Sequence, residues 1–231
     1  LEHDAIVVAT MHRPDDKFLS LVFMLRLLRE AGASRITLVS PYLAYMRQDK
    51  QFKPGEALTS TYFSELLSPF IDEMVTVDPH LHRHHAMSEI YTANATVLHA
   101  SHTISSWIKA SVSNPLLIGP DSESEQWVSK VARDAGSPYV VLSKERHGDR
   151  QVNISIPEID TYRNHSPVLV DDIISTAHTM IETVKKLLAV GFSKPICIGV
   201  HAIFADNSFQ ELLDAGAERI VTCNTIPHGS N

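Results

Sequence analysis

The 231 residues are enough for one large or two small domains, and the 44% hydrophobic and 20% charged shares are those of an ordinary globular protein. The net charge of −7, from 20 basic and 27 acidic residues, gives no indication of a nucleic-acid partner. No apolar run approaches the ~18 residues of a membrane span, and no targeting segment is recognisable. Cys197 and Cys223 fall in apolar strand patterns, so we expect a cytoplasmic protein with free thiols and no membrane partner.

Short apolar runs typical of buried strands alternate with amphipathic segments typical of helices. The predicted strands are 5–10, 36–39, 74–77, 97–98, 116–118, 139–142, 168–170, 196–200 and 219–222. The predicted helices are 18–28, 58–67, 104–110, 127–135, 180–188 and 208–215. This alternation predicts an α/β protein whose mainly parallel sheets are flanked by helices. A repeated order of strand, acidic loop and helix indicates two related halves, 1–96 and 97–231. Apolar residues nearly encircle helix 18–28, so we expect it to be covered on more than one side.

The most informative stretch is residues 168–179. A wholly apolar strand ends at Val170 and is followed by Asp171 and Asp172, at the carboxyl end where α/β sheets place ligands. The hydroxyl-rich turn that follows opens a helix, and a helix N-terminus favours phosphate. Carboxylates beside such a turn indicate a sugar phosphate as ligand. A plain strand followed by a capped helix is the alternative.

This stretch resembles the phosphoribosyl-pyrophosphate (PRPP) fingerprint shared by type I phosphoribosyltransferases and ribose-phosphate pyrophosphokinases (PRPP synthetases). His178 stands where the fingerprint usually has glycine. The resemblance implies that Asp171 and Asp172 hold the ribose hydroxyls, directly or through Mg²⁺. It also implies a set of residues that bind the 5-phosphate: Ser175, Thr176, Ala177, His178 and Thr179.

A second informative loop spans residues 41–49, with a Pro-Tyr pair, a second tyrosine and the triplet Arg47, Gln48 and Asp49. Arginine suits polyphosphate oxygens and glutamine suits nucleotide edges, although such a triplet alone is more often a solvated loop. The loop resembles the ATP-site loop of PRPP synthetases, which phosphoribosyltransferases do not carry. The resemblance therefore implies that Arg47, Gln48 and Asp49 bind ATP.

Asp78 and His80 follow another predicted strand and resemble the Asp-x-His element of the same family. The resemblance places His80 near the ATP phosphates and both residues near Mg²⁺. Four histidines between positions 80 and 85 raise the alternative of a transition-metal site. No cysteine lies nearby and tetrahedral ligand spacing is not evident, so zinc is disfavoured.

Two further elements complete the resemblance. Asp121 resembles the family's acid near the metal and ribose, although an aspartate at a helix N-cap is equally consistent with the local sequence. Lys144 and Arg146 resemble the Lys-x-Arg of the family's mobile catalytic loop, where cations stabilise charge on the transferring group. A generic basic loop is the alternative.

The resemblance implies two phosphoribosyltransferase-like halves: an N-terminal half with the ATP-site loops, and a C-terminal half with the PRPP loop and the catalytic loop. It implies a ribose-phosphate diphosphokinase that uses ATP, ribose 5-phosphate and Mg²⁺, and a homo-oligomer built from dimers. The family usually has a further segment before the position of Leu1 and a closing segment after Ile226, so we expect a truncated beginning. A catalytically silent regulatory homologue and a type I phosphoribosyltransferase remain alternatives.

Overall fold

The apolar and amphipathic runs form parallel strands and helices in the computed structural model of the protein. It describes residues 3–51, 53–81, 83–121, 124–147, 151–155 and 159–231, with the backbone alone for 143–147, 151–155 and 159–160. The strands are β1 (His3–Val8), β2 (Ala33–Ser40), β3 (Glu73–Val77), β4 (Asn94–Leu98), β5 (Pro115–Gly119), β6 (Tyr139–Val141), β7 (Ser143–His147), β8 (Gln151–Ser155), β9 (Ser166–Ile174), β10 (Ile196–Ala202) and β11 (Arg219–Thr222). The helices are α1 (Phe18–Glu30), α2 (Thr59–Leu67), α3 (Ser101–Ser111), α4 (Glu125–Ala135), α5 (His178–Ala189) and α6 (Ser208–Asp214).

The chain divides into two compact units, Leu1–His99 and Ala100–Asn231. The first contains a four-stranded parallel sheet and the second a five-stranded parallel sheet. The predicted fold class of two mainly parallel α/β halves is therefore confirmed. The boundary predicted between residues 96 and 97 falls inside β4. This strand pairs with β3 as far as the pair Val77 and Leu98.

The first unit has the strand order β1-β2-β3-β4. Its core includes Leu25 of α1, Leu67 of α2 and Leu38 and Met74 of the sheet, all fully buried. Removing each such side chain from water stabilises the fold by about 1.5–3 kcal/mol. This packing holds the carboxyl ends of the strands, where the ligand loops of an α/β sheet lie, in fixed positions.

Within the described chain, the prediction that helix 18–28 is covered on more than one side does not hold. Leu21 and Leu25 are buried, but a second apolar set is exposed: Leu19, Phe23, Met24 and Leu27 on α1, with Ile6 and Val8 on β1. Apolar periodicity shows that a helix has two apolar faces, but it does not show which element covers each face. No described helix is both long and apolar enough to cross a membrane.

The second unit has the strand order β11-β10-β9-β5-β6, so β9 is its central strand. Residues 167–170 are buried, as expected for a parallel strand covered on both faces. The strand does not end at Val170 as predicted. Its pairing with β10 continues to Ile173 and Ile174, because the ladder of a neighbouring strand satisfies the backbone beyond the apolar run.

The two cysteines are free thiols. Cys197 lies on β10 and is buried, and burial raises the pKa of its thiol to about 12. It is therefore protonated at neutral pH and acts as a small apolar side chain. Cys223 is partly exposed.

Candidate active site

Near the carboxyl ends of β5 and β9, the charges of Asp121 and Asp172 act on the carboxyl group of Asp171. Burial raises the pKa of Asp171 well above its ordinary value, and the negative charges of Asp172 and Asp121 raise it further. Asp171 Oδ1 also accepts a hydrogen bond from the Asp172 backbone N–H at 2.9 Å. Carboxyl groups that are held together at such a cost in charge repulsion are typical of sites that bind a cation or a hydroxyl-rich ligand.

Asp121 also has a local structural contact. Its Oδ1 accepts a hydrogen bond from the Ser124 backbone N–H at 3.2 Å, and its carbonyl accepts one from Ser124 Oγ at 2.5 Å. Ser124 is the residue immediately before α4. Asp121 thus stabilises the start of that helix while its charge acts on Asp171.

The turn after β9 has the features of a phosphate cradle. Ala177 precedes α5 with φ 56° and ψ 5°, a left-handed conformation that is unfavourable for a residue other than glycine. Such strain is concentrated at ligand sites. Among the described residues, the structure gives no acceptor to the backbone N–H groups of Thr176, Ala177 and His178. These donors, at the positive end of α5, are available to an anion.

His178 is the first residue of α5, and its side chain is exposed. Its φ is not positive, so the backbone conformation there does not require the glycine that the fingerprint usually has. The left-handed position is instead Ala177. Behind the turn, Thr183 donates its hydroxyl to the Thr179 carbonyl at 2.8 Å, which links the first two turns of the helix.

Contacts that the sequence motifs do not reveal hold this turn from the side of β10. The Ser175 carbonyl accepts hydrogen bonds from the Ala205 backbone N–H at 3.2 Å and from Ser208 Oγ at 2.7 Å. Both donors lie beyond the carboxyl end of β10, the neighbour of β9 in the sheet. The signal in the sequence is a serine that follows a buried strand, and it becomes informative only once the strand order is known.

In the first unit, hydrogen bonds connect the loop of residues 41–49, which follows β2, to the loop after β1 and to the end of β3. The Met11 N–H donates to the Tyr42 carbonyl at 2.9 Å, and the Val77 N–H donates to the Pro41 carbonyl at 3.2 Å. Tyr45, with φ 64°, donates its hydroxyl to Asp15 Oδ1 at 2.9 Å. The loop is therefore held against the ends of β1 and β3.

Within this loop, Arg47 is exposed, and the structure gives its guanidinium no hydrogen bond or ion pair among the described residues. It is available to a polyphosphate. The Gln48 carbonyl accepts a hydrogen bond from Ser60 Oγ at 2.9 Å, which fixes the loop to α2. Asp49 is already engaged, because Arg83 donates to its two oxygens at 2.8 and 3.0 Å.

Asp78 is buried at the end of β3, with a strained φ of 36°. His99 Nδ1 lies 2.7 Å from Asp78 Oδ1, and the Asp78 N–H donates to the Leu98 carbonyl at 2.9 Å. His99 belongs to none of the motifs identified in the sequence. His80 lies two residues further along the same loop and is partly buried.

No group of three or more His, Cys, Asp or Glu side chains is arranged to hold a metal ion within the described part of the chain. His82, one of the four clustered histidines, lies outside that part. Mg²⁺ needs no such cage, because it binds one or two carboxylates together with substrate phosphates. The carboxylates of Asp121, Asp171 and Asp172 fit this ligand preference. A divalent cation would offset the charge repulsion that, after burial, adds to the raised pKa of Asp171.

Lys144 and Arg146 lie on β7, which pairs with β8 as a two-stranded antiparallel ribbon. The segment predicted as a loop therefore begins as a strand. The side chains of both residues lie outside the described part of the structure, as do residues 148–150. The assignment of these two cations stays a prediction.

The structure thus places the predicted ATP-site residues, with Asp78 and His80, in the first unit, and the predicted ribose-phosphate residues, with Asp121, in the second. Two parallel α/β sheets, with the PRPP-like turn on the central strand of one of them, define a phosphoribosyltransferase-like fold. In agreement with this, residues 87–230 match the phosphoribosyl transferase domain family. Residues 1–70 match the N-terminal domain of ribose phosphate pyrophosphokinase.

Comparison with individual proteins distinguishes between the families that share this fold. The ribose-phosphate pyrophosphokinase of Sulfolobus acidocaldarius is 31% identical over 233 residues, covering 99% of this chain and 78% of that protein. Ribose-phosphate pyrophosphokinase 2 of Archaeoglobus fulgidus is 31% identical over 226 residues, covering 98% and 79%. Phosphoribosylpyrophosphate synthetase from Mycobacterium smegmatis has a similar fold, with a TM-score of 0.84 and 23% identity over 98% of this chain and 74% of that one. The chain belongs to the ribose-phosphate pyrophosphokinase family, as its sequence motifs predicted.

Proposed function

We propose that the chain is a ribose-phosphate diphosphokinase that converts ATP and ribose 5-phosphate to PRPP and AMP. In this reaction the anomeric oxygen of the sugar bonds to the β-phosphorus of ATP. The bond from that phosphorus to the oxygen bridging the α-phosphate breaks, AMP leaves with that oxygen, and the anomeric hydroxyl loses its proton. Family membership and the names of the curated relatives support this reaction.

The residues proposed to bind ribose 5-phosphate lie in the second unit. Asp171 and Asp172 hold the ribose hydroxyls, and the turn of residues 175–179 holds the 5-phosphate through backbone N–H groups and hydroxyls. The observation that carries this assignment is the set of N–H groups at Thr176, Ala177 and His178, which have no acceptor among the described residues and lie five to seven residues after Asp171. Anions bind such donors at a helix N-terminus without further charge.

The residues proposed to bind ATP lie in the first unit. Arg47 holds polyphosphate oxygens with its exposed guanidinium, and Gln48 hydrogen-bonds the nucleotide. Asp49 acts through Arg83, its ion-pair partner, and thereby keeps that guanidinium beside the loop of residues 41–49. His80 contributes a ring nitrogen for the ATP phosphates.

We propose that Mg²⁺ is the cofactor. Its proposed protein ligands or near neighbours are Asp78 and His80 in the first unit, and Asp121, which acts on Asp171 with Asp172, in the second. When bound, Mg²⁺ neutralises charge on the phosphate oxygens. Lys144 and Arg146 stabilise the charge that develops on the transferring diphosphoryl group. Preorganised cations of this kind lower the barrier most when water is excluded from the site.

We also propose that the chain works in the cytoplasm as a homo-oligomer built from dimers. Two free cysteines suit a reducing compartment. The exposed apolar face of α1 and β1 is of the kind that a second protein surface covers, since its residues Ile6, Val8, Phe23 and Leu27 are each at least 62% exposed. Sedimentation at micromolar concentration tests the oligomer. A monomer at all concentrations would contradict it.

The function is tested by AMP release from ATP by the purified chain with Mg²⁺, with and without ribose 5-phosphate. The proposal predicts release that depends on the sugar phosphate. A regulatory homologue would bind ribose 5-phosphate without releasing AMP. A phosphoribosyltransferase would leave ATP untouched and consume PRPP with a nucleobase. These three results are mutually exclusive.

A further inference from the structure

The carbonyl of Ser175, in the turn of residues 175–179, accepts two hydrogen bonds from residues that follow β10. It accepts the Ala205 N–H at 3.2 Å and Ser208 Oγ at 2.7 Å, while the carbonyl before it, of Ile174, accepts the Ile203 N–H at 3.1 Å. Ser208 is buried, with 3% of its surface exposed. The segment between β10 and α6 is therefore fixed to the end of β9 by three hydrogen bonds in a row.

Ser208 does not serve its own helix. It is the first residue of α6, whose N-cap is Asn207, and α6 has no side-chain cap hydrogen bond. Serine near a helix start usually donates to or accepts from its own backbone. Here its hydroxyl donates instead to the carbonyl of Ser175, in the turn between β9 and α5.

Planarity of the peptide bond gives that contact a consequence for the ligand. The Ser175 carbonyl and the Thr176 N–H belong to one trans peptide unit, because the structure contains no cis peptide bond in its described part. In a trans unit the two groups point in opposite directions. When Ser208 and Ala205 fix the carbonyl toward α6, they also fix the Thr176 N–H away from α6. That N–H has no acceptor among the described residues.

We propose that Ser208 is a positioning residue that aims the Thr176 N–H at the phosphate of the sugar-phosphate substrate. This inference rests on the proposed function, since it deepens the assignment of the same turn. Ser208 does not touch the substrate. It acts through the Ser175–Thr176 peptide, so its loss should weaken phosphate binding while leaving the nucleotide site and the chemical step unchanged.

The test compares Ser208→Ala with wild type by calorimetric titration of ribose 5-phosphate, of inorganic phosphate and of Mg-ATP, and by steady-state kinetics. Ser208→Thr retains the hydroxyl, and Ser208→Cys offers a weaker donor of similar size. Ser105→Ala is the matched control, because Ser105 is buried to 2% and donates to a backbone carbonyl, that of His102, on α3.

The expected result is a Kd and KM for ribose 5-phosphate about tenfold higher in Ser208→Ala, the size of one hydrogen bond to a charged group. Inorganic phosphate should weaken similarly, while kcat and the Kd for Mg-ATP stay within about twofold of wild type. The order of affinity should be wild type, Ser208→Thr, Ser208→Cys and then Ser208→Ala, with Ser105→Ala unchanged.

Three results would overturn the inference while the proposed function stands. The first is wild-type affinity for ribose 5-phosphate in Ser208→Ala, and the second is an equal weakening of sugar phosphate and Mg-ATP binding, which indicates a general structural role. Equal loss in the threonine and alanine variants would overturn it as well, since packing rather than the hydroxyl would then matter. If wild type itself neither binds ribose 5-phosphate nor releases AMP, the proposed function fails, and this inference fails with it.

Discussion

Gly199 is a position where adding one methyl group should disturb both the fold and the phosphate turn. It lies on β10 opposite Asp171 of β9, and a Cβ built there would come within 2.7 Å of Ile174 Cγ1 and 2.8 Å of its Cδ1. Ordinary contacts between carbon atoms are about 3.5–4.0 Å. Ile174 is 1% exposed, so it has little space into which to move.

Two opposing terms set the size of the effect. Gly199 does not have a positive φ, so alanine fits its backbone and gains about 0.4–1 kcal/mol by restricting the unfolded chain. Overpacking of a buried site costs about 1–3 kcal/mol. Crowding therefore prevails, and we expect Gly199→Ala to lower the free energy of unfolding by about 1–2 kcal/mol. Because Ile174 is followed by Ser175, the affinity for ribose 5-phosphate should fall too.

A double-mutant cycle isolates the crowding. Ile174→Ala alone should cost about 2–5 kcal/mol. It removes the two atoms that crowd position 199 and leaves only Ile174 Cβ, 3.8 Å from the new Cβ. In the double variant, Gly199→Ala should then add no further cost, which gives a coupling of about 1–2 kcal/mol. Gly229→Ala is the control, since its Cβ would meet nothing within 4 Å and its φ is not positive.

Urea unfolding at equilibrium, with Cm and m recorded for each variant, measures these free energies. The reasoning is refuted if Gly199→Ala is as stable as Gly229→Ala. It is also refuted if the effects of Gly199→Ala and Ile174→Ala add to within about 0.5 kcal/mol, which is the behaviour of residues that do not interact.

Further variants test the candidate site. The pKa of Asp171 is raised in the folded protein, so folding favours its protonated form, and this contribution to stability is lost as pH rises through the raised pKa. We therefore expect the Tm of wild type, measured in EDTA, to fall relative to that of Asp171→Asn as the pH is raised from acid to alkaline values. Tm curves that stay parallel for the two proteins would contradict this. Lys144→Ala should lower kcat about 10²–10³-fold with ribose 5-phosphate binding retained in calorimetry; unchanged turnover would remove Lys144 from the chemistry. Arg47→Lys should raise the KM for ATP about tenfold, because lysine lacks the planar fork, and leave the KM for ribose 5-phosphate unchanged; an equal rise in both would place Arg47 outside the ATP site.

The strands of the second unit could be predicted because a parallel strand buried on both faces has a continuous apolar run, as at Val168–Val170. The carboxyl end of β9 could not be predicted. Polar Asp171 and Asp172 interrupt the apolar run, but β10 continues to pair with β9 as far as Ile174. The contribution of a neighbouring strand is a tertiary effect that local sequence does not contain.

The residue types of the site were predictable, and several of its contacts were not. Asp171 lies on β9 and the turn follows the same strand, so they are close in sequence. Ser208 and Ser175 are 33 residues apart, and His99 and Asp78 are 21 apart, so each pair meets only because of the strand order. Parallel strands bring distant loops to one edge, but the sequence does not state which loops become neighbours.

The central claim is that a diphosphoryl group moves from ATP to ribose 5-phosphate. The most direct measurement uses ATP labelled at the γ-phosphorus, with the purified chain, Mg²⁺ and ribose 5-phosphate, and separates the products by anion exchange. The proposal predicts label in PRPP and an equal amount of unlabelled AMP, with no transfer when ribose 5-phosphate is omitted. Label released as orthophosphate with ADP, or label that stays in ATP under these conditions, would contradict it.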